Sequence, residues 1–280
     1  MRNPDEPEAA PLPAEAYAYY ALGREATRLL HGHGRLELVR TQEILARHLP
    51  APPARVLDVG GGPGIYAAWL AGLGYETHLV DAVALHVDQA RRAAEAAGRP
   101  LASATVADAR QLPGPDGGHD AVLLLGPLYH LTERADRLAA LRETHRVLRP
   151  GGIVFAAGVG RFASLLAGLF DGSFADPDFR RIIERDLKDG QHRNPTSRDY
   201  FTTAFFHRPD ELEAEVREAG FTVEALLGVE GPGWPLADLS ERWADPERRE
   251  HVLLAARAVE REPSLLGLSP HILAVARRAP

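Results

Sequence analysis

Short apolar runs alternate with longer amphipathic ones between Arg55 and Ala157. Val56, Leu57 and Val59 make a brief, nearly continuous apolar run closed by glycines, the pattern of a strand covered on both faces in a parallel sheet. Tyr66, Trp69, Leu70 and Leu73 then recur at i, i+3, i+4 and i+7, and Gly74 stops the helix they predict. Residues 75–80, with Thr77, Leu79 and Val80, read as a second strand, and residues 84–97 as an Ala-rich helix ended by Gly98. A third strand is expected over 104–109, a polar turn over 113–118 and a fourth strand from His119 to Leu125. Leu138, Leu141, His145 and Leu148 give a helix over 134–148, and Ile153 opens a fifth strand running to Ala157. The order β-α-β-α-β-loop-β-α-β, joined by right-handed crossovers, predicts an α/β fold: a Rossmann-like, doubly wound, mostly parallel sheet with helices on both faces.

The flanks have different patterns. Residues 1–13 are rich in Pro and Glu with little to bury, so disorder is expected there. A helix is predicted over 14–30 with Tyr17, Tyr20 and Arg24 along one face, and another over 36–49, ended by Pro50 and the Pro52-Pro53 linker. Downstream, residues 158–208 interrupt the alternation. Phe162, Leu165, Leu166, Leu169 and Phe170 predict one amphipathic helix; Phe179, Ile182, Ile183 and Leu187 predict a second; the polar stretch 193–198 is expected to be exposed. An insertion this long at the carboxyl edge of a sheet is where a substrate cap belongs. A helix from Pro209, a sixth strand over 221–229, a charged helix over 246–260 and a last strand over 271–276 complete the reading. The expected division is a tail (1–13), N-terminal helices (14–53), a core (54–157), a helical cap (158–208) and the remainder of the same sheet domain (209–280).

Composition narrows the function. The 280 residues carry 32 basic and 39 acidic side chains, a formal charge of −7, which disfavours a nucleic-acid or membrane-surface binder. With no cysteine there is no disulfide framework and no thiol nucleophile. Neither a signal-peptide core nor a membrane-length apolar run is present, so a cytoplasmic protein is expected. His31-Gly32-His33-Gly34 is too short and glycine-rich to define a metal site, and no metal is expected.

The chemistry centres on the turn after the first strand. Gly60, Gly61, Gly62 and Gly64 permit positive φ and a close approach of backbone to ligand, and Pro63 suits a helix opening. Gly62, Gly64 and Ala67 fit the G-x-G-x-x-A form of a dinucleotide turn, but that register puts the alanine a full turn inside the helix. The other frame, Asp58 followed by Gly60-x-Gly62-x-Gly64, resembles motif I of class I S-adenosylmethionine-dependent methyltransferases. Four further pieces resemble that family's motifs in order: Asp81 at the end of the second strand, Asp108-Ala109 at the end of the third, residues 119–128 at the fourth, and Leu148-Arg149-Pro150-Gly151-Gly152 before the fifth.

The resemblance implies S-adenosylmethionine as cofactor and S-adenosylhomocysteine as product. Gly60, Gly61 and Gly62 would hold the methionyl part, Asp81 and Ala82 the ribose, and Asp108 and Ala109 the adenine, with Leu125 at the fourth strand tip. It also implies an antiparallel seventh strand and an N-terminal helix closing over the cofactor, with Tyr20 or Tyr17 in contact. Arg35 or Arg40 is a candidate partner for the cofactor carboxylate.

The reacting centre is expected just past Leu125. His130 is the candidate base, or else a cap of the next helix, and Tyr129 is placed to orient an acceptor or line the methyl pocket. His207 is the second base candidate or a helix-entry residue, and His192 is expected in solvent. Tyr200, Phe201, Phe205 and Phe206 would stack an aromatic acceptor or form a plain core cluster; His207 and Phe206, with Tyr129, are the substrate-side expectation. No G-x-S-x-G supports a hydrolase. The function expected is in-line methyl transfer to a small-molecule acceptor of heteroaromatic or natural-product type. An NAD-dependent oxidoreductase and a non-catalytic S-adenosylmethionine-binding protein stand as alternatives. Acceptor identity, acceptor atom and oligomeric state are not readable.

Overall fold

The computed structural model describes residues 14–20, 22–23, 25–194 and 200–280. The expected disorder of the N-terminal tail, the placing of Arg24 and the exposure of 195–198 lie outside the described residues. Three helices lead in: α1 (Ala14–Tyr20), α2 (Glu25–Arg28) and α3 (Gly34–His48). The single helix expected over 14–30 is thus two, with Gly23 at a φ of 69° between them, a value a helix does not tolerate.

The sheet starts at β1 (Arg55–Val59), which pairs in parallel with β2 (Glu76–Asp81) on one side and β4 (His119–Leu124) on the other. Outside β2 lies β3 (Ser103–Val106), and beside β4 lies β5 (Leu148–Gly160), both parallel. The crossovers carry α4 (Ile65–Gly72), α5 (Ala84–Ala96), the one-turn α6 (Pro127–His130) and α7 (Arg134–Val147). The cap contributes α8 (Ala163–Asp171), α9 (Pro177–Asp189) and a short hairpin of β6 (Gln191–His192) and β7 (Ala204–His207). After α10 (Pro209–Glu218) comes β8 (Phe221–Gly228), then α11 (Leu239–Ala244), α12 (Pro246–Val259) and β9 (His271–Arg278). β9 runs antiparallel to both β5 and β8, so the seven long strands are ordered β3-β2-β1-β4-β5-β9-β8. This is the predicted Rossmann-like sheet with its antiparallel last strand. The two-residue pairing of β7 with β5 at Phe206 and His207 ties the cap hairpin to it.

Strand periodicity sorts the core into two layers. Val56, Leu123, Phe155 and Val275 face one side, against Ile44 and Leu45 of α3 and Leu70 of α4. Their alternates Leu57, Val122, Val154 and Ala274 face the other, against Leu141 of α7 and Leu212 and Val216 of α10. Asp58 shares the Val56 face and is 1% exposed. The carboxyl ends of β1, β2 and β4 and the start of β9 come to one edge of the sheet, where the crevice of such folds lies. Among the described residues no helix is long and apolar enough to cross a membrane.

Candidate functional site

A cavity with about 1300 Å³ of free space, its open mouth included, occupies that edge. Its floor is the glycine turn. Gly60 and Gly62 sit at φ 69° and 56°, and the Cβ of any residue at 61 would lie 2.7 Å from the Asp58 carboxylate and 2.8 Å from Leu79. Beside Gly62 a Cβ would meet nothing within 4 Å, so this backbone lies open to the cavity.

Asp81, at the end of β2, takes up the turn's amides. The Gly62 N–H donates to Oδ2 at 2.9 Å and the Val83 N–H to Oδ1 at 2.8 Å, with His86 Nδ1 3.2 Å from Oδ1. Asp58, behind Gly61, also lines the cavity, and its Oδ2 has no hydrogen-bond partner. Burial, reinforced by the charge of Asp81, pushes its carboxyl up to about 7. Asp108 is gripped by Arg110, whose Nε and Nη2 lie 2.9 and 2.6 Å from its two oxygens. Burial opposes the ionised form, but the Arg110 bonds outweigh it and hold Asp108 below the usual carboxylate range.

The side of the cavity past β4 carries Tyr129 and His130 on α6. Tyr20 of α1 closes over them. Its hydroxyl lies 2.5 Å from His130 Nε2, and its ring meets those of His130 and His86 edge-on at 5.1 and 5.5 Å. Burial pulls the His130 imidazole down to about 4, so near neutral pH it is uncharged and its Nε2 shares a hydrogen bond with the Tyr20 hydroxyl. His130 is therefore held in a latch between the first helix and the fourth strand.

The far wall contains residues the sequence reading passed over. Arg28 of α2 binds Glu37 of α3 through both oxygens, at 2.6 and 3.0 Å. Glu37 Oε2 lies 3.9 Å from Nδ1 of His271, the first residue of β9. That nitrogen is 2.5 Å from Glu230, which is buried and also accepts from the Ser269 hydroxyl at 2.7 Å. Burial acts against a charged His271, but the two carboxylates outweigh it and raise the imidazole to about 9. Each of the four came from a different segment with nothing local to mark it, save that His271 opens a strand at the carboxyl edge.

Of the expected cofactor positions, Tyr20, Gly60, Gly61, Gly62, Asp81, Ala82, Asp108, Ala109 and Leu125 line this one cavity, whereas Tyr17, the alternative to Tyr20, is 49% exposed and does not. Tyr129 and His130 line it as well. Other expectations need correction. His207 is fully buried behind the wall, with Nε2 3.3 Å from Glu215, which also takes both ends of the Arg137 fork. Phe206, 3% exposed, stacks on His192 at 4.6 Å instead of facing the cavity. His192 is not solvated: it is 1% exposed and bonded to Asp186 at 2.9 Å. The hydrophobic drive to seat the cap hairpin on β5 put all three inside. Arg40 is buried against Glu43 and Glu260, and Arg35 donates to the Leu30 carbonyl, so neither reaches the cavity.

A strand, an open glycine turn and a carboxylate at the next strand tip define a Rossmann-like protein that binds a nucleoside cofactor. The profile of a methyltransferase-domain family matches residues 56–152. A malonyl-[acyl-carrier protein] O-methyltransferase from Geobacter sulfurreducens is 35% identical over 172 residues, which are 60% of this chain and 56% of that protein. A ubiquinone biosynthesis O-methyltransferase from Xanthomonas axonopodis pv. citri is 30% identical over 205 residues, 71% of this chain and 75% of the relative. The solved PH0226 protein from Pyrococcus horikoshii superposes with a TM-score of 0.63 over 93% of this chain and 98% of its own, at 17% identity, and so speaks for the fold alone. The chain belongs to the class I S-adenosylmethionine-dependent methyltransferases.

Proposed function

We propose that this chain holds S-adenosylmethionine across the tips of β1 and β2 and methylates a small acceptor seated between Tyr129 and His271. The observation that supports it is the gathering of the glycine turn, Asp81, Asp108 and the α6 aromatics around a single cavity. The residues fit the cofactor. The open backbone at Gly62 admits the methionyl portion, the unpartnered Oδ2 of Asp58 suits a buried ammonium donor, and the lone pairs left on Asp81 suit ribose hydroxyls. Asp108 reaches the adenine only while sharing its oxygens with Arg110.

When bound, the cofactor supplies a methyl group on a positively charged sulfur, open to in-line attack. The chain's own work is positioning and drying. Tyr20 shuts the cavity from α1 through its bond to His130, and Leu125 and Tyr129 give the transfer zone an apolar wall. His130 acts as a base only when the Tyr20 hydroxyl lets go of Nε2. The negative net charge favours a small molecule over nucleic acid, in a cytoplasmic enzyme. The test is calorimetry with S-adenosylhomocysteine followed by label transfer from S-adenosylmethionine to a small-molecule panel. Heat with 1:1 stoichiometry and labelled product are expected; no heat refutes the reading.

A further inference from the structure

The wall opposite the glycine turn carries four charges in alternation: Arg28, Glu37, His271 and Glu230. Three of them, Arg28, Glu37 and His271, line the cavity, whereas Glu230 is sealed behind, 1% exposed. We propose that this wall takes the methyl acceptor as an oxyanion, a carboxylate or an ionised phenol or enol, with Nε2 of His271 as the donor that holds it. The inference rests on the methyl-transfer reading and names the acceptor class for the same site.

The geometry separates the two nitrogens of the ring. Nδ1 is committed to Glu230, which is itself fixed by the Ser269 hydroxyl and by the backbone N–H of His271 at 3.2 Å. Among the described residues nothing bonds Nε2, and the side chain keeps 21% of its surface on the cavity side. A carboxylate on Nδ1 makes the imidazolium the resting form, with Nε2–H as a charge-assisted donor. The groups facing the ring are Glu37 from α3, Arg28 from α2 through Glu37, Glu230 after β8, and Tyr66 from α4 near both carboxylates. The neighbouring stretch of β5, at Val159, brings none. Glu25, also on the cavity and 2.9 Å from Arg28, brings this wall to a net charge of −1, so it is the Nε2–H of His271, and not the wall's overall charge, that draws an oxyanion. His130, neutral and latched to Tyr20, offers no such charge.

The step balances without a base. The acceptor oxygen, already free of its proton, forms the O–CH3 bond as the methyl–sulfur bond breaks and its electron pair stays on sulfur. His271 keeps its proton throughout.

The test uses the full chain saturated with S-adenosylhomocysteine. Histidine NMR should show one imidazole, absent from His271→Gln, with a midpoint near 9. Benzoate or 4-nitrophenolate should raise that midpoint further; whichever acts separates a carboxylate acceptor from a phenolic one. In His271→Gln their affinity should drop about tenfold or more, with benzamide and the S-adenosylhomocysteine heat unchanged. Loss of the S-adenosylhomocysteine heat in wild type would strike at the methyl-transfer reading itself. Retained heat with neither anion bound, with anion and amide bound alike, or with a His271 midpoint below 7 overturns only the present proposal. So does anion binding that requires a divalent ion and is lost to EDTA. Should His271→Gln misfold, the wild-type titration and Glu37→Gln, expected to lower the midpoint, decide the matter.

Discussion

Replacing Tyr20 with Phe removes one oxygen atom and tests whether α1 is a latched lid. The bond it breaks joins residues 110 positions apart, from the first helix to α6. A net hydrogen bond contributes about 0.5–1.5 kcal/mol, and a buried acceptor left without a donor costs about 1–3 kcal/mol. The ring contacts to His86 and His130 survive, so only the polar part is lost. The penalty falls on the closed form alone, since in the open form water reaches Nε2. A shift of about 1–3 kcal/mol moves the closed–open balance by roughly 5- to 150-fold. Stopped-flow displacement of S-adenosylhomocysteine should therefore show a faster off-rate in Tyr20→Phe by that order, with on-rates little changed. Global stability should hardly move, because α1 contributes no side chain to the two layers that cover the sheet. The His130 midpoint, held near 4 in wild type, should rise toward its ordinary value as the site opens. An off-rate equal to wild type would show that the bond holds nothing shut, and the lid would have to be abandoned.

Other substitutions separate stability from binding. Asp58 has its pKa raised from 3.8 to about 7, so the stability linked to its neutral form is complete below 3.8 and lost as pH rises through 7. Asp58→Asn should then raise urea stability at pH 8 by about 2–4 kcal/mol while weakening S-adenosylhomocysteine binding; stability unchanged between pH 5 and 8 in wild type and variant would contradict this. Gly61→Ala forces a Cβ to within 2.7 Å of the Asp58 carboxylate. It should lower cofactor affinity at least tenfold by calorimetry, since the turn must move about an ångström, and wild-type affinity would refute the tight packing. Arg137→Ala strips the buried Glu215 of its fork and leaves it His207 and the longer contact to Arg134 at 3.7 Å. A loss of about 3–5 kcal/mol is expected in chemical denaturation, with S-adenosylhomocysteine affinity unchanged below the transition. A change in that affinity would place the trio in the site after all.

What the sequence revealed about the fold, it revealed through local rules. A buried parallel strand is apolar on both faces, a helix repeats every 3.6 residues, and a glycine turn between them has few other uses, so β1 to β5 and their helices were legible from Val56 to Ala157. The same local rules misplaced the cap. His192 and His207 look like solvent or catalytic residues beside Arg193 and Arg208, yet each is buried on a carboxylate, Asp186 and Glu215, supplied by a helix 6 and 8 residues away. An imidazole next to arginines in sequence carries no mark of the acid that will meet it in the fold. The N-terminal helix failed differently: its apolar period ran on through Gly23, where the backbone turns left-handed.

The cofactor side and the acceptor side differ in how they are built, and this decides which can be read. Glycines, Asp81 and Asp108 stand at strand tips, so each sits in a short motif whose register is set by the strand it ends. The opposite wall is assembled from α2, α3, the turn after β8 and the first residue of β9, so its four members span residues 28 to 271. None is meaningful alone: Arg28 reads as a surface charge, Glu37 as an exposed helix residue, Glu230 as a loop acid and His271 as the start of a strand. They acquire a role only because β9 returns antiparallel beside β5, which brings its first residue, and not its last, to the edge where the other strands end. Reversing that one strand would leave the glycine turn intact and remove His271 from the cavity. A class of enzyme can thus be marked by contiguous motifs while the wall around His271 depends on topology, and relatives sharing the first are free to differ in the second.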